Sequence, residues 1–166
     1  MRSRSYNVRI CRIFTGKRKH SCRMITCTRR IQFSAGHRVY RHESKCAHLH
    51  GHNYVALFTA TAVHLDDLGR VIDFGVLKDK IGGWIEQWWD HGMIINRADP
   101  LIALWEEGGL LYGQKIYSFP DNPTAEEMAR YLLVRVCPFV LDKTGVEVIA
   151  VRLWETENCY ADATHN

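Results

Sequence analysis

The segment Cys46-Ala-His48-Leu-His50-Gly-His52-Asn-Tyr54 holds the densest group of metal-competent side chains in the sequence. Along an extended strand residues two apart point to one face, so His48, His50 and His52 can project together. Gly51 leaves space between the last two. A catalytic zinc takes three protein ligands, with nitrogens about 2 Å away, and keeps a fourth position open. If His50 and His52 ligate, a third ligand comes from elsewhere. His37 is the best candidate, because it closes an earlier strand-like stretch that a hairpin-like return would lay beside this one. Alternation alone leaves His48 open, although the turn after Cys46 need not be regular strand. His20, His42, His64 and His165 have no partner that the sequence identifies, and with His48 they are set aside. The expectation is Zn2+ on His37, His50 and His52, with Cys46 beside it.

Positioning these residues requires a sheet. Ile25 to Gly36 alternates β-branched and aromatic residues with polar ones, a strand pattern. Asn53 to Leu65 is a stronger one, uncharged from Tyr54 to Val63, and Asp66-Asp67-Leu68-Gly69-Arg70 marks a turn. Phe74, Leu77, Ile81, Trp84, Ile85 and Trp88 recur at three and four, as on one face of a helix packed against a sheet. From Asn96 to Pro123 the pattern is irregular and reads as a long loop with at most a short β element. Thr124 with Glu127 forms a capping box ahead of Met128, Leu132 and Val136, and Pro138 is expected to end that helix. A last strand runs from Val146 to Trp154. The order β, β, α, α, β predicts an α+β fold with both helices on one face of an antiparallel sheet.

The chain has 166 residues, 46% hydrophobic and 24% charged, enough for one domain with a core. Its net charge is +4, but Arg2, Arg4, Arg9, Arg12, Lys17, Arg18, Lys19 and Arg23 precede Met24 with no acidic residue among them, so residues 24–166 carry +4 − 8 = −4. A nucleic-acid partner for the folded part loses its main support. Residues 1–23 are expected to be a basic leader, either disordered or absent from the mature protein, ahead of a single domain over 24–166. Six scattered cysteines without a CxxC pair fit reduced thiols of a cytoplasmic protein. No apolar run approaches the roughly 20 residues of a membrane span.

Several ordered motifs between residues 25 and 162 resemble the 6-pyruvoyl-tetrahydropterin synthase and 6-carboxy-tetrahydropterin synthase superfamily. They are Phe33-Ser-Ala-Gly-His37-Arg, Cys46-x-x-x-His50-Gly-His52-Asn-Tyr54, Val71-Ile-Asp73-Phe74, Trp89-Asp90-His91, Asn122-Pro-Thr124-x-Glu126 and Trp154-Glu155-Thr156. The resemblance implies a tunnelling fold, a four-stranded antiparallel sheet with two helices on one face. It further implies sheets joined as trimeric barrels, two trimers stacked into a homohexamer, and sites at subunit interfaces. By the same resemblance the three histidines bind zinc, Cys46 transfers a proton, Asp90 and His91 complete the acid/base machinery, and Glu155 anchors a pterin. A nearby metal and His91 would lower the thiol pKa of Cys46 as that role requires. Thr124 is a further candidate for substrate contact beside its capping role. Lys45, Arg38 and Arg41 are candidate cations for a triphosphate.

The substrate the resemblance implies is 7,8-dihydroneopterin triphosphate. The three residues between Cys46 and His50 favour the branch that releases acetaldehyde and triphosphate, leaving 6-carboxytetrahydropterin on the way to preQ0 and queuosine. The alternative is the 6-pyruvoyl product, formed without loss of acetaldehyde. A non-enzymatic pterin-binding or structural-zinc module is the remaining reading. Structural zinc usually takes four protein ligands, which three histidines with a separate cysteine do not supply.

Overall fold

The computed structural model describes residues 24–165. The expected leader, residues 1–23, lies outside them.

Strands β1 (Thr26–His37) and β2 (His50–Ala62) pair antiparallel along their full length, from Thr26 opposite Thr61 to His37 opposite His50. Residues 38–49 make the return, with one 3₁₀ turn over Lys45–Ala47. Strands β5 (Val146–Thr156) and β6 (Cys159–Thr164) continue the antiparallel sheet beyond β2. These four strands are the expected four-stranded antiparallel sheet.

Two short strands, β3 (Gly92–Asn96) and β4 (Ile116–Phe119), extend it on the other side of β1, and both run parallel to their neighbours. The complete sheet is therefore six-stranded and mixed, in the order β4-β3-β1-β2-β5-β6. β4 is a short β element of the kind allowed for in the irregular segment, whereas β3, five residues long, is too short to show a period and escapes a reading by alternation. β6, six residues long, lies beyond the last strand that the sequence predicts. Segment 97–121, expected to be a loop, also holds a 3₁₀ turn over Pro100–Leu104, capped by the Asp99 side chain.

Two helical runs cover one face. α1 comprises Phe74–Leu77, a π turn over Lys78–Gly82 and Gly83–Trp88, and starts on Asp73, whose carboxylate accepts from Gly75 N. α2 comprises Ala125–Tyr131, a π turn over Leu132–Val136 and Cys137–Val140. Pro138 does not end it, contrary to expectation. It sits at the start of the segment after the widened turn, where a missing N–H is tolerated.

Phe33, Tyr54, Ala56, Phe58, Val151 and Leu153 turn inward from the sheet against Leu77, Ile81, Ile85, Met128 and Leu132 of the helices, all buried. Alternation fixes the consequence for the site. The inward face of β1 ends at His37 and that of β2 begins at His50 and His52, so the histidines close one end of the core. No helix among the described residues is long and apolar enough to cross a membrane.

Candidate active site

The register that places His37 opposite His50 sets both side chains, and that of His52 two residues on, on the helix-covered face. One ring nitrogen from each of the three lies within 4.8 Å of the others. Tautomers follow from the partners. His37 Nδ1 is 2.7 Å from the carbonyl of Pro123, and His50 Nδ1 is 2.8 Å from the carbonyl of His48. A carbonyl only accepts, so both Nδ1 atoms carry the proton and both Nε2 atoms present lone pairs. These two Nε2 atoms are 3.1 Å apart. His52 Nε2 is buried and without a hydrogen-bond partner. Lone pairs converging from rings oriented by backbone carbonyls are what a first-row divalent metal needs, and the donor set fits zinc with an open position. Burial drives the His37 pKa down to about 4, and His52 is shifted the same way, so both rings are neutral at physiological pH, the form that can ligate a metal.

Glu155, near the end of β5, points at the same group: its Oε1 is 3.5 Å from His37 Nε2 and 4.0 Å from His52 Nε2. Burial raises its pKa, His50 opposes the shift, and Glu126 adds to it. Thr124 caps α2 by accepting from Glu127 N at 3.3 Å.

Asp90 and His91 form a pair at the corner between α1 and β3. Asp90 Oδ2 is 2.8 Å from His91 Nδ1, and Asp90 Oδ1 accepts from Ser34 N at 2.8 Å. Burial works against the charge on Asp90, but Ser34, His91 and Lys115 outweigh it and hold the carboxyl below its ordinary range. His91 has a left-handed backbone, φ 55°, a conformation uncommon outside glycine. Its N–H donates to Ser34 O at 2.7 Å, and Lys115 Nζ ties down Asp90 O at 2.6 Å. The His91 side chain is 81% exposed. It shares with His52 a hollow of about 360 Å³ between β1, β2 and the start of β3.

Cys46 is half-buried in the turn Lys45–Ala47, and its carbonyl accepts from Val39 N. Among the described residues it makes no side-chain hydrogen bond to His91, to Asp90 or to the three histidines. Lys45 is exposed on the same turn. Arg38 is not free to meet a phosphate. Its Nε and Nη2 grip the buried Asp99 at 2.5 and 2.6 Å, and its Nη1 reaches Ala47 O at 3.4 Å. This pair ties the Cys46 turn to segment 97–121.

Several supporting residues carry no signal in the sequence. Pro123 and His48 act through their carbonyls, Ser34 through its backbone, and Asp99 and Lys115 lie in the irregular segment. Ser34 and Pro123 fall within motifs that do not mark these backbone roles, whereas Asn122, also within a motif, acts through its side chain: it bonds to the backbone N and O of Tyr40 and to Asn96, bracing the return loop.

An α+β sheet whose inward face ends in three converging imidazoles defines a metal-competent centre on an open-edged scaffold. The chain belongs to the 6-pyruvoyl tetrahydropterin synthase family, whose model matches residues 26–166. It is 42% identical over 139 residues to the 6-carboxy-5,6,7,8-tetrahydropterin synthase of Rickettsia bellii, covering 84% of this chain and 99% of that one. Two solved structures share its architecture. An uncharacterised protein of Wolinella succinogenes matches with a TM-score of 0.72 at 23% identity, over 86% of this chain and 99% of that one. The 6-pyruvoyl tetrahydropterin synthase of Caenorhabditis elegans matches with a TM-score of 0.59 at 20% identity, over 87% and 97%. These likenesses bear out the tunnelling fold and the α+β class, with the sheet corrected to six mixed strands.

Proposed function

We propose that the protein is a zinc-dependent 6-carboxy-5,6,7,8-tetrahydropterin synthase, taking 7,8-dihydroneopterin triphosphate and one water to 6-carboxytetrahydropterin, acetaldehyde and triphosphate on the route to preQ0 and queuosine. The observation that carries the reading is the convergence of His37, His50 and His52 beside Glu155, in a chain so similar to relatives of that name. The pyruvoyl branch is the alternative, and the cysteine-to-histidine spacing speaks against it.

Zinc on the three histidines supplies Lewis acidity toward the oxygens of the substrate side chain. The chain's own residues do the rest. Glu155 accepts hydrogen bonds from the ligand next to those oxygens, since burial beside the imidazoles leaves its carboxylate few other partners. Cys46 removes a carbon-bound proton as a thiolate. His91, kept in one tautomer by Asp90, exchanges protons with substrate or thiol. Thr124 Oγ accepts from Glu127 N, which leaves its hydroxyl proton for the ligand. Lys45 and Arg41 face the triphosphate.

Cys46 and His91 share no hydrogen bond within one subunit, and His91 is largely exposed. The homohexameric assembly implied by the family resemblance resolves this, with His91 reaching the Cys46 turn of a neighbouring copy. The folded domain over residues 24–166 acts in the cytoplasm in this reading, with the basic leader outside it.

Purified enzyme given dihydroneopterin triphosphate should release acetaldehyde. A pyruvoyl product without acetaldehyde would overturn the branch. Cys46→Ala and His91→Ala should each retain zinc and lose turnover, and mixing the two variants through dissociation and reassembly should restore part of it. No recovery on mixing would sink the interface site.

A further inference from the structure

We infer that Lys115 is a positioning residue for the Asp90–His91 pair: its ammonium clamps the peptide unit that joins the two and so aims the His91 imidazole. Lys115 thereby acquires a kinetic role, one that rests on the pterin reading above and that the reading does not itself assign.

A single planar peptide unit carries both the Asp90 carbonyl and the His91 N–H. Each of its polar groups is held. His91 N–H donates to Ser34 O of β1 at 2.7 Å, and Asp90 O accepts from Lys115 Nζ at 2.6 Å. Fixing that plane holds the His91 backbone in the left-handed region at φ 55°, a conformation that persists only where its surroundings over-determine it. The ring direction follows from the backbone. At 81% exposure the His91 side chain has little packing within its own subunit, and its hydrogen bond runs to Asp90, the other residue on the clamped unit.

The end of α1 explains why an ammonium sits there. Trp89 N and Asp90 N both donate to Ile85 O at 2.8 Å, so Asp90 N passes over the Glu86 carbonyl that a regular α-turn would give it. Lys115 Nζ takes that carbonyl as well, at 2.6 Å. An ammonium has three donors and no acceptor, which suits two neighbouring carbonyls, and a cation is favoured at a helix C-terminus. Gly92 leaves room for the stem, since a Cβ there would stand 3.0 Å from Lys115 Cγ and 3.2 Å from Cδ. Lys115 O in turn accepts from Met93 N at 3.1 Å, so side chain and main chain of one residue bracket the step from His91 into β3. A cap for α1 alone is the plainer role. It would show as lost stability with the rate unchanged.

The test is Lys115→Met in the zinc-loaded oligomer, which keeps most of the stem and removes the ammonium. Triphosphate release from dihydroneopterin triphosphate is the readout, because both product branches share it. Zinc content and KM should match the parent protein, while kcat should fall by about 10- to 100-fold, the scale for a reacting group held out of place. Lys115→Arg, which returns donors to the carbonyls, should recover most of that loss. A parental kcat in Lys115→Met overturns the positioning role, even with a lower thermal midpoint, and leaves Lys115 a helix cap and the pterin reading standing. A fall in kcat that comes with lost zinc or a raised KM overturns it as general damage to the site, and so does a Lys115→Arg protein as slow as Lys115→Met. If the parent protein itself releases no triphosphate, the pterin reading falls and the role of Lys115 falls with it.

Discussion

His37 Nε2 stands 3.1 Å from His50 Nε2 while the opposite nitrogen of each ring donates to a carbonyl, of Pro123 and of His48. Neither ring has a proton to offer the other, so their closeness is one of two lone pairs, which a shared cation stabilises. His37→Ala and His50→Ala should each weaken zinc binding by more than the ~10- to 100-fold typical of losing an outer partner. Chelator competition measures it. Stoichiometric zinc retained in either variant would contradict the ligand set. Saturating zinc at about 100 times its Kd should add about 2.7 kcal/mol of stability to the parent protein and far less to the variants.

The pH dependence of the zinc-free protein follows from His37. Burial, against the Pro123 hydrogen bond and with help from His50 and His52, holds its pKa at about 4 instead of 6.5. Between those values the unfolded chain binds a proton that the folded one refuses. Stability is therefore complete above about pH 6.5 and falls as the pH drops toward 4, by roughly 3 kcal/mol from this group. His52 adds in the same direction. Denaturant midpoints of chelator-treated protein between pH 7.5 and 4 check this, and His37→Gln should flatten the slope. The depressed carboxyls of Asp90 and Asp99 act at lower pH, where stability is lost as they protonate.

Removing Arg38 should harm the fold more than it harms phosphate binding. Its fork neutralises Asp99, whose side chain is fully buried while that of Arg38 is 21% exposed. Arg38→Met leaves a buried carboxylate with only the Leu101 N–H, a loss of about 3 kcal/mol. Asp99→Asn keeps a hydrogen-bonding cap and lets the guanidinium turn toward water, so it should cost less. Chemical denaturation of both variants tests the order. An Arg38→Met protein as stable as the parent, with a raised KM, would return Arg38 to the triphosphate.

Thr124 combines a cap with a proposed ligand contact. Thr124→Ala should lose about 1 kcal/mol through the cap and raise KM, while Thr124→Ser should restore both. A stability loss with KM unchanged would confine Thr124 to capping.

The three histidines, the two long strands that carry them and both helices were legible because each rests on a local rule. Period two puts His50 and His52 on one face, spacing of three and four marks 74–88, and Thr124 with Glu127 announces α2. A histidine that ends one strand and a pair that begins the next can meet only if the strands return on each other, so the hairpin and the site were a single inference. The tertiary structure decided what depends on distant partners. β3 is a strand only because β1 offers an edge, β4 only because β3 then offers the next, and Pro138 stays helical only because the turn before it widens. The tautomers of His37 and His50 are set by carbonyls, which every residue possesses and no sequence pattern marks. Arg38 reads as a free cation until Asp99, far along the chain and inside the irregular segment, is seen to hold it. Side-chain periodicity records which face a residue occupies. Which group meets it there depends on contacts across the chain, and those exist only in the folded state.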